Sequence, residues 1–137
     1  MAAITIAEGD VLPASSSGVY EASAGANMDA GTFIYLDAND SNKAKKAVAN
    51  STEAAARVVG ITVNSALVDQ PVSYLPIGNI PVGGVFGAKG LVYVLSATAG
   101  KMCLPADLSS GHWLTIIGYS YTTSILKLGI VATGIQQ

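Results

Sequence analysis

Two stretches of this chain carry the same pattern 59 residues apart. Gly31-Thr-Phe-Ile-Tyr-Leu-Asp-Ala38 aligns with Gly90-Leu-Val-Tyr-Val-Leu-Ser-Ala97. In both, a leucine follows the glycine by five residues and an alanine by seven. A second match follows each: Arg57-Val-Val-Gly-Ile-Thr-Val63 with Thr115-Ile-Ile-Gly-Tyr-Ser-Tyr121. A third apolar run closes each copy, Gln70–Leu75 and Ile125–Val131. The repeated unit is glycine–strand, loop, strand, turn, strand. Neither unit alone has enough strands to bury a core, so the two must pack together. The expected fold is all-β: a single small sandwich or barrel-like domain of two similar units, about 31–75 and 90–131, within a β domain of residues 28–137. Residues 1–27 are expected to form an extended N-terminal arm or edge segment.

The punctuation agrees. Fifteen glycines and short Ser/Thr/Asn clusters separate runs of Val, Ile, Leu and Tyr. Strict alternation over Trp113–Tyr121 puts Trp113, Thr115, Ile117, Tyr119 and Tyr121 on one face, and Leu114, Ile116, Gly118 and Ser120 on the other. Thr122–Ser124 turns the chain, and Leu126, Leu128 and Ile130 then share one face with Lys127 opposite. Further strands are expected at Thr32–Leu36, Arg57–Val63, Val72–Leu75 and Leu91–Leu95. Pro76 and Pro81 bar a central strand between the copies and leave a crossing or edge element at 77–90. Asn50-Ser-Thr-Glu53 has the spacing of a capping box before Ala54–Ala56, good for one or two helical turns. Ala2–Ile6 reads as a short strand or a pairing arm, and Val11–Asn27 as partly extended loop.

Half of the 137 residues are hydrophobic and only 12% are charged, about half the usual share. A folded monomer of this size exposes roughly 6,600 Å², so its sixteen charged residues are spread thinly. Such a chain is not disordered, and part of its surface is expected to be covered by copies of itself or by a larger partner. A net charge of −2 lacks the basic footprint of nucleic-acid binding. No apolar run approaches the roughly 18 residues of a membrane-spanning helix. The acidic start, with Glu8 and Asp10 and no basic region, does not read as a signal peptide. One cysteine, Cys103, makes no intrachain disulfide and no cysteine-based zinc cluster. The chain therefore reads as folded in a cytoplasm. Residues 1–42 hold six acids and no base, whereas 43–137 hold seven bases and three acids. That imbalance suits two solvated faces, or an acidic part docked on a basic neighbour.

Catalytic and metal signatures are weak. His112 is the single histidine, and no Gly-x-Ser-x-Gly elbow accompanies it. It follows a Ser-Ser-Gly turn and reads as a loop or interface residue. Cys103, between Met102 and Leu104, reads as a half-buried thiol rather than a nucleophile paired with His112. Asp37 and Asp40 resemble half of a calcium loop without its glycine and glutamate. A polar turn held by side-chain hydrogen bonds accounts for the same residues. Gly84–Gly90 fails as a phosphate loop because Lys89 precedes its last glycine and no Ser or Thr follows. The sequons at Asn39 and Asn50 are chance matches in a chain read as lacking a secretion signal. Lys43, Lys45 and Lys46 read as a solvated loop. Trp113, Tyr119 and Tyr121 suit core or interface equally. No cofactor or metal is expected.

The repeat and the closing hairpin together resemble the capsid decoration, or cement, proteins of tailed bacteriophages. The resemblance is carried by Gly31–Ala38, Val58–Ser65, Gly90–Gly100, Pro105–Gly111 and Ile125–Gly134, and it covers roughly residues 28–134. It implies a β-rich structural protein on the outer surface of the virion head, assembled in the host cytoplasm. Its implied partners are the major capsid protein and itself, often as a trimer, with no direct contact to nucleic acid or membrane. It implies no enzyme activity. Arms in such proteins often contact the shell, but residues 1–27 match nothing in the family. The candidate contact residues are Ile4 and Ile6 on the arm, and His112, Trp113, Tyr119 and Tyr121 on the closing hairpin. The alternative is another virion binding module: a head-fibre base, a tail component or a glycan-binding β domain. A small hydrolase using His112 or Cys103 is the third class.

Overall fold

A computed structural model describes residues 3, 4, 6, 7, 9, 11 and 19–137. The fold is a small β-sandwich of two five-stranded antiparallel sheets. Its strands are β1 (Tyr20–Ser23), β2 (Phe33–Asp37), β3 (Lys43–Lys46), β4 (Gly60–Thr62), β5 (Pro71–Leu75), β6 (Gly78–Pro81), β7 (Val92–Leu95), β8 (Met102–Cys103), β9 (Trp113–Ser120) and β10 (Ile125–Gln136). The first sheet runs β1-β5-β4-β2-β3 and the second β6-β10-β9-β7-β8. The second sheet is thus the first with every strand advanced by five, and the matched stretches of sequence lie on corresponding strands.

Local chemistry repeats with the topology. Asp37 Oδ1 accepts from Asn39 N at 3.0 Å just after β2. Ser96 Oγ accepts from Thr98 N at 3.0 Å just after β7. Both close the turn that the shared Leu-x-Ala pattern leads into. Gly31 and Gly90 both open their strands with positive φ, 90° and 80°, where a side chain is strained. Gly60 and Gly118 occupy matching sites where the next strand comes too close for a side chain. A Cβ on Gly60 would lie 2.7 Å from the Leu75 carbonyl oxygen, and one on Gly118 would overlap that of Lys127.

The main core lies between the sheets. Phe33, Ile61 and Leu75 come from the first, and Tyr93, Leu95, Met102, Ile117, Leu126 and Leu128 from the second. The sheets are also joined through backbone. Between β3 and β4, Ala47 N donates to Phe33 O at 2.9 Å and Ala47 O accepts from Gly100 N at 2.6 Å. Ala49 N donates to Ser96 O at 3.0 Å and Ala49 O accepts from Trp113 N at 2.8 Å. The buried Thr115 hydroxyl donates to Ala56 O. Among the described residues no buried side-chain polar atom lacks a partner.

A second, smaller core covers the other face of the first sheet, where Ala24, Met28 and Ala66 pack on Ile34, Ala44, Val72 and Tyr74. Bridges Ala24–Ala44 and Met28–Ala66 hold that cover in place.

Several sequence expectations are corrected. Alternation along β9 slips: Thr115 and Ile117 are buried, but Tyr119 and Tyr121 are exposed while Gly118 and Ser120 are buried. The cause is a bulge. Adjacent Tyr93 and Val94 pair with Gly118 and Ile116, so Ile117 is an extra residue and the period of two breaks there. Lys43–Lys46 is an edge strand rather than a loop, because Ala44 is buried and the lysines pair across to β2. The capping box yields only a 3-10 turn at Ala54–Ala56, with Thr52 Oγ1 rather than Asn50 accepting from Ala55 N at 3.2 Å. The β-branched Val58 and Val59 follow too soon for a longer helix. β1 and β8 were not foreseen, and β10 runs five residues beyond the expected end at Val131. The edge element expected at 77–90 contains β6, which ends on Pro81. Of the expected arm, Ile4 and Ile6 pack on the main core and Ile4 N donates to Met102 O at 2.8 Å. Residues 1, 2, 5, 8, 10 and 12–18 lie outside the described residues.

The glycine sites give a direct check. Gly118→Ala is expected to cost about 2 kcal/mol or more in denaturant unfolding, because backbone must shift to admit one methyl. Gly60→Ala should behave likewise. Gly129→Ala, with nothing within 4 Å of the added Cβ, should stay within about 0.5 kcal/mol of the parent.

Candidate interaction surface

Among the described residues, the outer face of the second sheet has nothing like the smaller core of the first. Val92, Tyr119, Lys127 and Asn79 form one row in register across β7, β9, β10 and β6. All four are exposed, with Val92 at 48% and Tyr119 at 37%. Lys127 Nζ stands 5.9 Å from the Tyr119 ring centroid, a contact that keeps the one charge of the row over an aromatic face. Next along the hairpin, half-buried Ile116 pairs with Val131 and half-buried Leu114 with Ile135. Val131 is 52% and Ile135 62% exposed.

This surface follows from the length of β10. β9 has eight residues and β10 twelve, and the excess is taken up at two register shifts, between Leu128 and Val131 and between Ala132 and Ile135. Gly129 and Gly134 lie within them. On its other flank β10 pairs with β6 only over Ile125–Leu128. From Gly129 to Gln136 the strand has β9 on one side and, among the described residues, no strand on the other.

The predicted contact residues do not form one patch. Tyr119 lies on the outer row and Tyr121 at the turn, where its N–H donates to Ile125 O at 2.9 Å. Trp113 lies at the far end of β9, paired with Gln136. Six residues of strand, roughly 20 Å, separate Trp113 from Tyr119. Trp113 is half-buried against the main core, and its indole N–H donates to Ser51 O at 3.2 Å. His112 sits in the preceding turn, where its Nδ1 accepts from Ser109 N at 3.1 Å and its carbonyl from Gln137 N at 2.9 Å. Ile4 and Ile6 lie half-buried on the core beside a cleft of about 170 Å³. The exposed Val131 and Ile135 are not among those candidates. Their signal was present: from Gly129 to the end, the chain has no charge and no proline.

The chemistry elsewhere is structural in form. Asp37 and Asp40 close on the Lys45 ammonium, at 2.8 and 3.0 Å, so a lysine stands where a calcium reading needs a cation. The Lys45 hydrogen bond, helped by the Asn39 N–H, holds the Asp37 carboxyl below the usual carboxylate range. Lys43 pairs with Asp69 at 2.8 Å. Cys103 is fully buried, and that burial pushes its thiol up against the opposing pull of a Ser96 hydrogen bond. Such a thiol is a poor nucleophile at neutral pH. An open cleft of about 360 Å³ is lined by Asn27, Asp29, Lys46, Ser65 and Gln70. Three of these side chains already hold backbone: Asn27 accepts from Val68 N, Ser65 from Ala30 N and Gln70 from Leu67 N. Among the described residues no three His, Cys, Asp or Glu side chains gather as metal ligands, and no helix is long and apolar enough to cross a membrane. No protein-family model matches the chain, and no curated protein matches it.

Two outcomes test this description. Cys103 should react with a disulfide reagent at least about 100-fold more slowly in the native protein than in denaturant, as expected of a buried thiol. Asp37→Asn should lower the melting temperature at neutral pH. Asp37 has a depressed pKa, so its contribution is complete above the ordinary carboxylate range and is lost as pH falls through the depressed value. The gap between variant and parent should therefore close in acid, as read by thermal melts across pH.

Proposed function

We propose that this protein is a structural component of a tailed-phage head, docking on the outer surface of the major capsid protein shell and cementing it. The observation that carries the reading is the exposed outer side of the second sheet, where Val92, Tyr119, Val131 and Ile135 stand bare around the single charge of Lys127. A surface of that kind is suited to burial against a partner. The resemblance carried by Gly31–Ala38, Gly90–Gly100 and Ile125–Gly134 adds the identity of the partner. In this reading copies of the chain associate, as a trimer, and each assembly spans neighbouring capsomers.

The mechanism is clamping. A sandwich joined through side chains and backbone alike is a stiff body, so a bound copy resists the spreading of the shell beneath it. Its interface free energy must be lost before the shell opens, and linkage adds that term at every site. A few kcal/mol per site, repeated over a lattice, raises the pressure or temperature at which the shell fails. No bond is made or broken, and the reading needs neither cofactor nor metal.

Exposed Tyr119 and Tyr121 favour a second reading, in which the same surface serves a fibre base, a tail component or a glycan-binding module, since aromatic rings offer both an apolar face and a hydrogen-bonding tip. Cosedimentation separates the two. Purified protein added to expanded phage heads that lack decoration should pellet with them and raise their temperature of DNA release by several degrees. Protein that stays in the supernatant at about 50 μM, yet is retained on a glycan surface, would sink the cement reading and favour the second.

A further inference from the structure

Two opposite charges on the first sheet border one cleft without meeting. Asp29, in the connection from β1 to β2, and Lys46, at the end of β3, both line the open cleft of about 360 Å³. Neither is in an ion pair among the described residues, whereas Lys43 and Lys45 on the same strand are both paired, with Asp69 and with Asp37 and Asp40. The cleft is preformed. Its two walls are the β1–β2 and β4–β5 connections, and reciprocal backbone bonds between Met28 and Ala66, each 2.9 Å, tie them at the floor. The Thr32 and Thr62 hydroxyls donate to Asp29 O at 2.7 and 2.9 Å and fix that residue's backbone. Asn27 Oδ1 takes the Val68 N–H and Gln70 Oε1 the Leu67 N–H. Those bonds hold both amides in place and leave the NH2 donors of each without a protein partner among the described residues.

The donor set narrows the ligand. The Met28 and Ala66 peptide groups are already paired with each other, so an added peptide strand finds no ladder to join there. The Asp29 carboxylate opposes a phosphate beside Lys46, and no aromatic ring lines the cleft for a base to stack on. What remains is a carboxylate that only accepts, with amide and ammonium groups that only donate. Vicinal hydroxyls answer both, since each O–H donates and accepts. Met28, Ala66 and Leu67 add an apolar patch for the C–H face of a ring. We propose that this cleft is a carbohydrate-binding site, in which Asp29 accepts from ring hydroxyls and Asn27, Gln70 and Lys46 donate to them. Asp29 and Lys46 also border the cleft of about 170 Å³ beside Ile4 and Ile6, so a second sugar ring continues past them. Asp29 is the one carboxylate lining either cleft among the described residues, whereas glycoside hydrolysis ordinarily takes a pair. The site therefore binds sugar without cleaving it. It lies on the first sheet, uses neither Tyr119 nor Tyr121, and does not depend on the shell reading.

The test follows backbone amide resonances of the full chain by NMR. Maltose, cellobiose, lactose and mannobiose are each titrated to about 20 mM, with glycine and inorganic phosphate as controls. At least one disaccharide should shift the amides of 27–29 and 65–70 saturably, while glycine and phosphate leave them in place. Asp29→Ala and Lys46→Met should each weaken that binding by about tenfold or more, as expected for loss of a charged hydrogen-bonding partner. Tyr119→Ala should leave it unchanged. No saturable shift with any of the four sugars overturns the site. Saturable shifts with glycine or phosphate alone assign the cleft to a small ion and overturn it as well. So does an affinity that neither the Asp29 nor the Lys46 variant alters. Should both variants fail to fold, the parent decides: sugar-induced shifts centred on Tyr119 and Tyr121 rather than on the cleft walls overturn the site. Shell binding is read separately by cosedimentation, where Asp29→Ala should still pellet with heads, so the two proposals fail independently.

Discussion

The architecture depends on a short run of backbone between β3 and β4. Ala47 and Ala49 are both fully buried, and their peptide groups bond once to the first sheet and three times to the second. Ala47 reaches Phe33 on β2 and Gly100 before β8, while Ala49 reaches Ser96 after β7 and Trp113 at the start of β9. Apolar packing alone is non-directional and would hold the sheets together without setting their register. Four backbone hydrogen bonds in a buried seam do set it, since each buried amide left unpaired would carry a desolvation penalty of about 1–3 kcal/mol. Alanine at both positions follows from the same demand, as larger side chains would hold the backbones apart.

From that seam outward the two halves share a plan and differ in dress. The turn bonds of Asp37 and Ser96 correspond, and so do the close approaches at Gly60 and Gly118. The first sheet, though, has its outer face closed by Ala24, Met28 and Ala66. The second keeps much of its outer face open, and its last strand outruns its neighbour on β6. The same topology thus provides a closed layer on one side and a bare, nearly uncharged layer on the other. That asymmetry is the reason the proposed interface is placed on the second sheet.

Much of this plan was legible. The Gly31 and Gly90 stretches fall on β2 and β7, and Ile125–Val131 lies within β10. The reason is physical: a strand needs only a local alternation of side chains, and a tight turn only a glycine or a short polar side chain at the right place. The bulge at Ile117 was not legible, because an extra residue is inserted only when β7 and β9 pair out of step. That single slip turned Tyr119 outward and broke the expected aromatic face. β1 and β8 were missed for a related reason, being too short to show a period and held mainly by partners distant in the chain. Trp113 could be named as a contact candidate, but only the fold shows its indole already bonded to Ser51.

By itself the sequence determined the class of the molecule: an all-β chain, repeated in pattern, short of charge and poor in catalytic groups. These properties belong to composition and near-neighbour order, which survive without knowledge of the fold. Tertiary structure alone decided which apolar residues are core and which are surface. Ile61 and Ile135 are equivalent by composition, yet one is sealed between two sheets and the other stands on an open flank. Burial is set by what the opposite strand supplies, and the pairing of β6 with β10 stops at Leu128.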